Sequence, residues 1–231
     1  IGQAAAKDFL GKIQLVLGNK AGICFDRYTS EKRDIHKKDF PNKILKIFRS
    51  KKLAYTKEGA LWLKTRKFRD DKDRVLITSE GEPTYFLADA GHYLETVRRG
   101  FDAKINILGP DHFGYVARIN AAAEIAGLKT SEVLITQAIR LMKGKKEAKM
   151  SKRKGVFVAF EDLVDEVGLD SARFFFLMHA PESHMDFDLV LAKERSNKNP
   201  VYYAQYAYVR AKSIIKKAKF KKLERGFADV I

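Results

Sequence analysis

Residues 104–127 read KINILGPDHFGYVARINAAAEIAG. Ile105, Ile107 and Leu108 make residues 104–108 a short apolar strand, and Gly109-Pro110 ends it. Residues 113–126 follow as a helix that stops at Gly127. Asp111 and His112 therefore fall between a strand and the start of a helix. In open α/β sheets ligands bind beyond the carboxyl ends of strands, close to helix N-termini.

The same rhythm extends outward. Upstream, residues 74–78 form a short apolar strand, 79–83 a turn and 84–87 an extended stretch, and 88–99 form a helix ending at Gly100. Downstream, 133–141 is apolar and strand-like. Strands alternating with helices of this length predict a parallel sheet covered on both faces. Nearer the N-terminus, a helix over 7–17 breaks at Gly18-Asn19. A second helix, over 41–52, puts Ile44, Leu45, Ile47 and Phe48 on one side and Lys43, Lys46 and Arg49 on the other. Residues 53–55 and 60–64 flank Lys57-Glu58-Gly59 as a small hairpin. Beyond Met142, residues 143–154 hold seven basic residues and one acid and read as a mobile loop. Short helices follow over 161–167 and 170–180, with Asp170 as N-cap of the second. Asn199-Pro200 opens a long helix, with Asn at the cap and Pro at the first helical position. No internal repeat or low-complexity block interrupts this order.

The chain has 231 residues, enough to bury a core without disulfides or a structural metal. Apolar residues make up 45% and charged residues 32%, the balance of a globular protein rather than a disordered one. Lys and Arg total 45 against 29 Asp and Glu, a net charge of +16. That excess fits a polyanionic partner, nucleic acid before an anionic membrane, and equally a well-solvated basic surface. The lone cysteine, Cys24, excludes a disulfide framework and cysteine-based zinc sites, and points to a reducing compartment. Placed between Ile23 and Phe25, it reads as a packed thiol. No apolar run approaches a membrane span and no signal peptide is visible. The chain opens on Ile1 instead of methionine, which suggests a piece of something longer.

Three groups of residues could carry chemistry. In Lys149-Met150-Ser151-Lys152-Arg153, two lysines three apart around a small hydroxyl suit a polyphosphate, and nearby glycines let backbone approach. A charged solvated loop is the plain alternative, and its place after a strand of a nucleotide-type sheet favours the phosphate. Gly109, Asp111 and His112 could hold a nucleoside, with His112 packing on it and Asp111 bonding a sugar hydroxyl. A helix cap would look similar. Tyr85 and Asp89, four apart, could bind a cationic substrate group. On the residues alone, a capping Asp and a core Tyr explain them better.

Eight stretches in order resemble arginyl-tRNA synthetases, a class I aminoacyl-tRNA synthetase family. They are DDKDRVL (70–76), PTYFLADAGHY (83–93), RGFD (99–102), GPDHFGYVARI (109–119), KMSKRKGVFV (149–158), DEVGLDSARFFF (165–176), DFDL (186–189) and NPVYYAQYA (199–207). The resemblance implies an α/β fold: the second half of a class I Rossmann-type catalytic domain with an inserted small α+β segment, then the start of an all-α anticodon-binding domain. Residues 1–73 would be the connective segment and 74–142 the second Rossmann half. Residues 143–195 would hold the KMSK loop and a tRNA-stem-contacting segment, and 196–231 the beginning of the helical domain. It implies a cytoplasmic arginine–tRNA ligase, monomeric at full length and without membrane contact. Its partners would be L-arginine, ATP with Mg2+ and tRNA(Arg), with no tightly bound cofactor and no protein metal site. Lys149 and Lys152 would stabilise the developing pyrophosphate charge, with Ser151 in support and Met150 near the adenine. Gly109, Asp111 and His112 would hold the ATP nucleoside. Tyr85 and Asp89 match the family's contacts to the arginine side chain, which reverses the plain reading of that pair.

The chain also departs from the family. None of its five histidines forms a His-x-Gly-His signature. Phe113 stands where the family often has histidine, and Arg69 where it usually has glycine. The expectation is a fragment of the ligase that does not activate arginine alone. The competing readings are a non-catalytic RNA- or nucleotide-binding module that has lost the first half of the fold, and a generic basic nucleotide-binding module. Intact Lys149, Ser151 and Lys152 count against the first alternative, and the Tyr85–Asp89 pair against the second.

Overall fold

The computed structural model describes residues 2–144, 146–147 and 159–218. Contacts divide the chain into two compact units, one of Phe25–Ala138 with Pro181–His184, the other of the remaining segments. Helix α1 (Gly2–Leu15) continues into a π-helical turn, Val16–Lys20. The first expected helix is thus present but starts earlier, and Gly18-Asn19 does not break it, because both residues lie inside the π-helical turn. Beyond it Cys24 is exposed and not packed. Its neighbours Ile23 and Phe25 are exposed as well, in a stretch without regular structure.

In the 25–138 unit, helix α2 (Phe40–Ser50) buries Ile44, Leu45 and Phe48 and turns Lys43, Lys46 and Arg49 outward, as its spacing dictates. Strands β1 (Ala54–Lys57) and β2 (Ala60–Leu63) form the expected hairpin, with Ala54 opposite Leu63 and positive φ at Glu58 and Gly59 across the turn. Strand β3 (Arg74–Ile77) pairs antiparallel to β2. It therefore closes this small sheet and does not open the parallel one, because its partner is the distant hairpin. Of residues 84–87 only Thr84 is extended. Thr84 is tied to β3 through its backbone N–H to Leu76 O and its hydroxyl to Val75 O. Helix α3 (Tyr85–Arg98) starts immediately afterwards, with Phe86, Leu87 and Ala90 buried at helical spacing. Gly91 in α3 lies against the start of α2. A Cβ there would sit 2.9 Å from Pro41 N and 3.0 Å from Phe40 C, both rigid backbone, so the two helices can pack this closely only with glycine.

Strand β4 (Ala103–Leu108) leads into a 3-10 turn, Pro110–Tyr115, and then α4 (Val116–Ala126). The helix thus begins three residues later than the sequence suggests, since the segment from Pro110 winds tighter first. Strand β5 (Thr130–Ile135) runs parallel to β4, with Ala103 opposite Thr130 and Leu108 opposite Ile135. One continuous core joins Ile44, Phe48, Leu63, Leu76, Leu87 and Ala122. The opposite face of β4 is bare, with Ile105 62% and Ile107 68% exposed, so cover on both faces is not found among the described residues.

The expected strand over 133–141 is two strands in two units. After β5, β6 (Ile139–Lys143) joins the second unit, flanked by β7 (Lys146–Glu147) and by parallel β8 (Met185–Asp188). Helices α5 (Phe160–Val167) and α6 (Leu169–Leu177) pack Leu163, Val164 and Phe175 around Phe187 of β8. Asp170 is not the cap of α6. Gly168, at φ +81, both ends α5 and caps α6, which places Asp170 in the first turn, where it accepts a bond from Gln205. Helix α7 (Leu189–Lys193) is capped by the Asp188 carboxylate. Helix α8 (Pro200–Lys217) opens as expected, with Asn199 Oδ1 accepting from Val201 N and its amide donating to Ala192 and Glu194 carbonyls. No helix among the described residues is long and apolar enough to cross a membrane.

Candidate functional site

Two periodicities meet in the 25–138 unit. On α3, positions 85, 89, 92 and 93 share one face at helical spacing. On β4, Lys104, Asn106 and Leu108 share one face at strand spacing. Between them opens a cleft of ≈ 450 Å³, lined from α3 by Tyr85, Asp89, His92 and Tyr93, and from β4 by those three residues. His112, Tyr115 and Ile119 close its far side.

Asp89 is the acid of this cleft. It reaches solvent, yet the surrounding protein pushes its carboxyl above the ordinary value. Glu31 adds to the push, and Lys104 and His112 oppose it. Among the described residues none bonds to it, so toward them the carboxylate is open to a guest cation. Tyr85 beside it is 89% exposed and also lines a second hollow with Glu31, His36 and Thr84. Burial lowers the pKa of His92, with Lys104 adding to it and Glu95 opposing it. Burial likewise lowers that of Lys104, which Glu95 and Asp89 partly restore. The Lys104 ammonium lies 4.3 Å from the Tyr93 ring centroid.

The turn past β4 supplies the other predicted residues. Gly109 O accepts from His112 N at 3.0 Å. His112 Nε2 lies 3.5 Å from Asp111 Oδ2, and its ring meets Tyr115 edge-on at 5.5 Å. Arg118 lies 4.1 Å from the Tyr115 centroid. Tyr85, Asp89 and His112 therefore come together in one cleft. Gly109 and Asp111 shape its bordering turn without lining it. Lys149, Met150, Ser151 and Lys152 lie outside the described residues. The sequence reading missed His92, Tyr93, Lys104, Asn106 and Tyr115, although the first four could have been found by stepping along α3 and β4 from the residues already chosen.

A buried ionic clamp fixes α3. Glu95, 3% exposed, pairs with Arg27 at 3.1 Å, and Arg27 also reaches Asp34 at 3.8 Å. Asp34 is held well below the usual carboxylate range by Arg33 and the Ser30 N–H. The segment before α2 is thereby bound to the helix that carries Tyr85 and Asp89. Among the described residues no cluster of three metal-ligating side chains occurs.

Residues 13–188 match the family of class I tRNA synthetases (R), catalytic domain. The chain belongs to this family. A curated arginine–tRNA ligase of Symbiobacterium thermophilum is 45% identical over 205 residues, and one of Staphylococcus aureus is 47% identical over 209. These matches cover 88% and 89% of this chain and 37% of each relative, so the chain spans little more than a third of their length. The crystal structure of a Campylobacter jejuni protein described as an arginyl-tRNA synthetase superposes with a TM-score of 0.82 at 34% identity, over 95% of this chain and 48% of that one. Thermus thermophilus arginyl-tRNA synthetase, 18% identical with a TM-score of 0.63 over 82% of this chain and 42% of that one, shares the fold. This chain thus shares with these two structures the mixed α/β architecture of a class I synthetase catalytic domain.

Proposed function

We propose that this synthetase chain forms the arginine-recognising part of a cytoplasmic arginine–tRNA ligase. The reaction joins L-arginine to ATP as arginyl-adenylate with release of pyrophosphate, then transfers the arginyl group to the terminal adenosine of tRNA(Arg). The observation that carries this reading is the unpartnered carboxylate of Asp89 beside the exposed ring of Tyr85, in a cleft that His112 also lines. A planar guanidinium can pair with both oxygens of Asp89 while Tyr85 packs on it, a geometry a lysine ammonium cannot match. His112 packs against the nucleoside of ATP, and Gly109 and Asp111 hold the turn around it. Met150 lies near the adenine, Lys149 and Lys152 neutralise charge as pyrophosphate leaves, and Ser151 supports the phosphates. Mg2+ enters with those phosphates, as magnesium usually does. In this reading β4, α4 and β5 belong to the second half of a Rossmann-type domain, and α8 begins a helical anticodon-binding domain.

The test is Asp89→Asn in the protein expressed from its full reading frame. Leaving a guest charge unpaired costs roughly 2–5 kcal/mol. The KM for arginine should therefore rise about thirtyfold or more while the KM for ATP stays within a factor of two or so. An unchanged arginine dependence would remove Asp89 from substrate recognition.

A further inference from the structure

Away from the cleft, the segment around the small antiparallel sheet is strongly basic. Residues 49–74 contain ten Lys and Arg against four acids. Each of those acids is already engaged. Glu58 pairs with Lys57, and Asp70 and Asp71 pair with Arg74. Asp73 accepts the Tyr55 hydroxyl at 2.9 Å and the Arg66 backbone N–H at 3.2 Å. Around Tyr55 and Asp73 lies an open hollow of ≈ 370 Å³ whose other walls are Lys64, Arg66 and Lys67. Lys64 donates to the backbone carbonyl of Lys52 at 3.1 Å, so exposed Lys52 is its neighbour without lining the hollow. None of these four cations has an acidic partner among the described residues.

From this arrangement we propose that Lys52, Lys64, Arg66 and Lys67 form a docking surface for the phosphodiester backbone of RNA, separate from the small-substrate cleft. The proposal rests on the ligase reading only for the identity of that RNA. An open ridge of uncompensated cations releases counterions from a polyanion and needs no enclosed pocket. A lipid surface fits less well, because an interfacial site needs apolar side chains beside its cations. Between Tyr28 and Tyr85 no large apolar side chain is exposed among the described residues. Leu53 and Leu63 are buried, and the Trp62 indole donates to Lys57 O.

The experiment measures binding of a fluorescent tRNA(Arg) transcript to the whole chain by anisotropy, from about 50 to 200 mM salt. Lys52→Ala, Arg66→Ala and Lys67→Ala together should raise Kd about tenfold or more and flatten the log–log salt slope by about two to three units. Lys32→Ala, Lys37→Ala and Lys46→Ala together remove the same charge from exposed positions elsewhere in the unit and should change the slope far less. Lys52→Arg with Lys67→Arg should keep the parent slope. Melting curves verify that each variant folds. Equal effects of the two triple variants would mean diffuse attraction and overturn the surface. So would loss of binding to phosphatidylserine vesicles with tRNA binding retained. Arginine-dependent adenylate formation is followed separately, in the protein expressed from its full reading frame. Its absence with the salt slopes as expected would strike the ligase reading and leave this surface standing.

Discussion

Replacing Arg69 by glycine should make the 25–138 unit more stable. Arg69 follows the 3-10 turn Thr65–Phe68 in the left-handed region, at φ 69 and ψ 18. Its N–H donates to Thr65 O, so the turn requires this conformation, and its side chain is exposed. The left-handed conformation costs an L-residue with a Cβ roughly 1–2 kcal/mol. Glycine removes that cost but gives the unfolded chain more freedom, worth roughly 0.5–1 kcal/mol in the other direction. The net gain is about 0.5–1 kcal/mol, or a rise of about 1–4 °C in Tm for a chain of this length. The single tryptophan, Trp62, lies on β2 in the adjoining sheet, so its fluorescence in a urea titration reports this unit directly. Arg69→Ala controls for the side chain, since it keeps the Cβ and should change stability by no more than about half a kcal/mol. If the glycine variant were no more stable than the alanine variant, the strain argument would be wrong.

Two further outcomes follow from named groups. Burial alone would raise the Asp70 carboxyl, but its bonds with Arg74, Asp71 and Thr65 outweigh that and lower it from 3.8 to about 2. A depressed carboxylate stabilises above its unfolded pKa, so its contribution, about 2 kcal/mol, is complete above about pH 4 and lost as pH falls through about 2. Acid titration followed at Trp62 should show that loss, and Asp70→Asn should remove this pH dependence while weakening the unit at neutral pH. Separately, Lys152→Ala in the protein from the full reading frame should cut adenylate formation by ~10²–10³ while ATP binding weakens much less. Equal loss of both would make the lysine a ground-state anchor.

What the sequence makes legible is local. Ile44, Leu45 and Phe48 reveal α2 by spacing alone, and Asn199-Pro200 announces α8 because cap and first turn use neighbouring residues. Where the sequence misleads, a distant partner decides. The residues of β3 have strand character, but nothing in 74–77 says that the partner is Leu61–Leu63 in antiparallel register. Residues 84–87 are rich in β-formers, yet the bond from Thr84 to β3 uses the extended residue as a helix cap. Residues 133–141 are largely apolar, broken only by Thr136-Gln137 and Arg140, and the pairing of Ile139–Met142 with Met185–Asp188 separates them into two strands.

The candidate site divides along the same line. Tyr85, Asp89 and His112 could be chosen because a motif marks them, whereas the state of Asp89 depends on residues brought to it by folding. Glu31 reaches Asp89 from the segment before α2, and Lys104 from β4. The two influences oppose each other. Burial makes both Asp89 and Lys104 harder to charge, and each eases the ionisation of the other. A cation entering the cleft beside Asp89 takes over the role that Lys104 plays in its absence. The attraction it gains at the carboxylate is thus offset by repulsion from the ammonium, and the balance depends on how far each charge is withdrawn from water. Spacing along α3 places Asp89 on the cleft face. The readiness of its carboxyl to ionise is set first by burial, then by Glu31 from the segment before α2 and by Lys104 across the cleft.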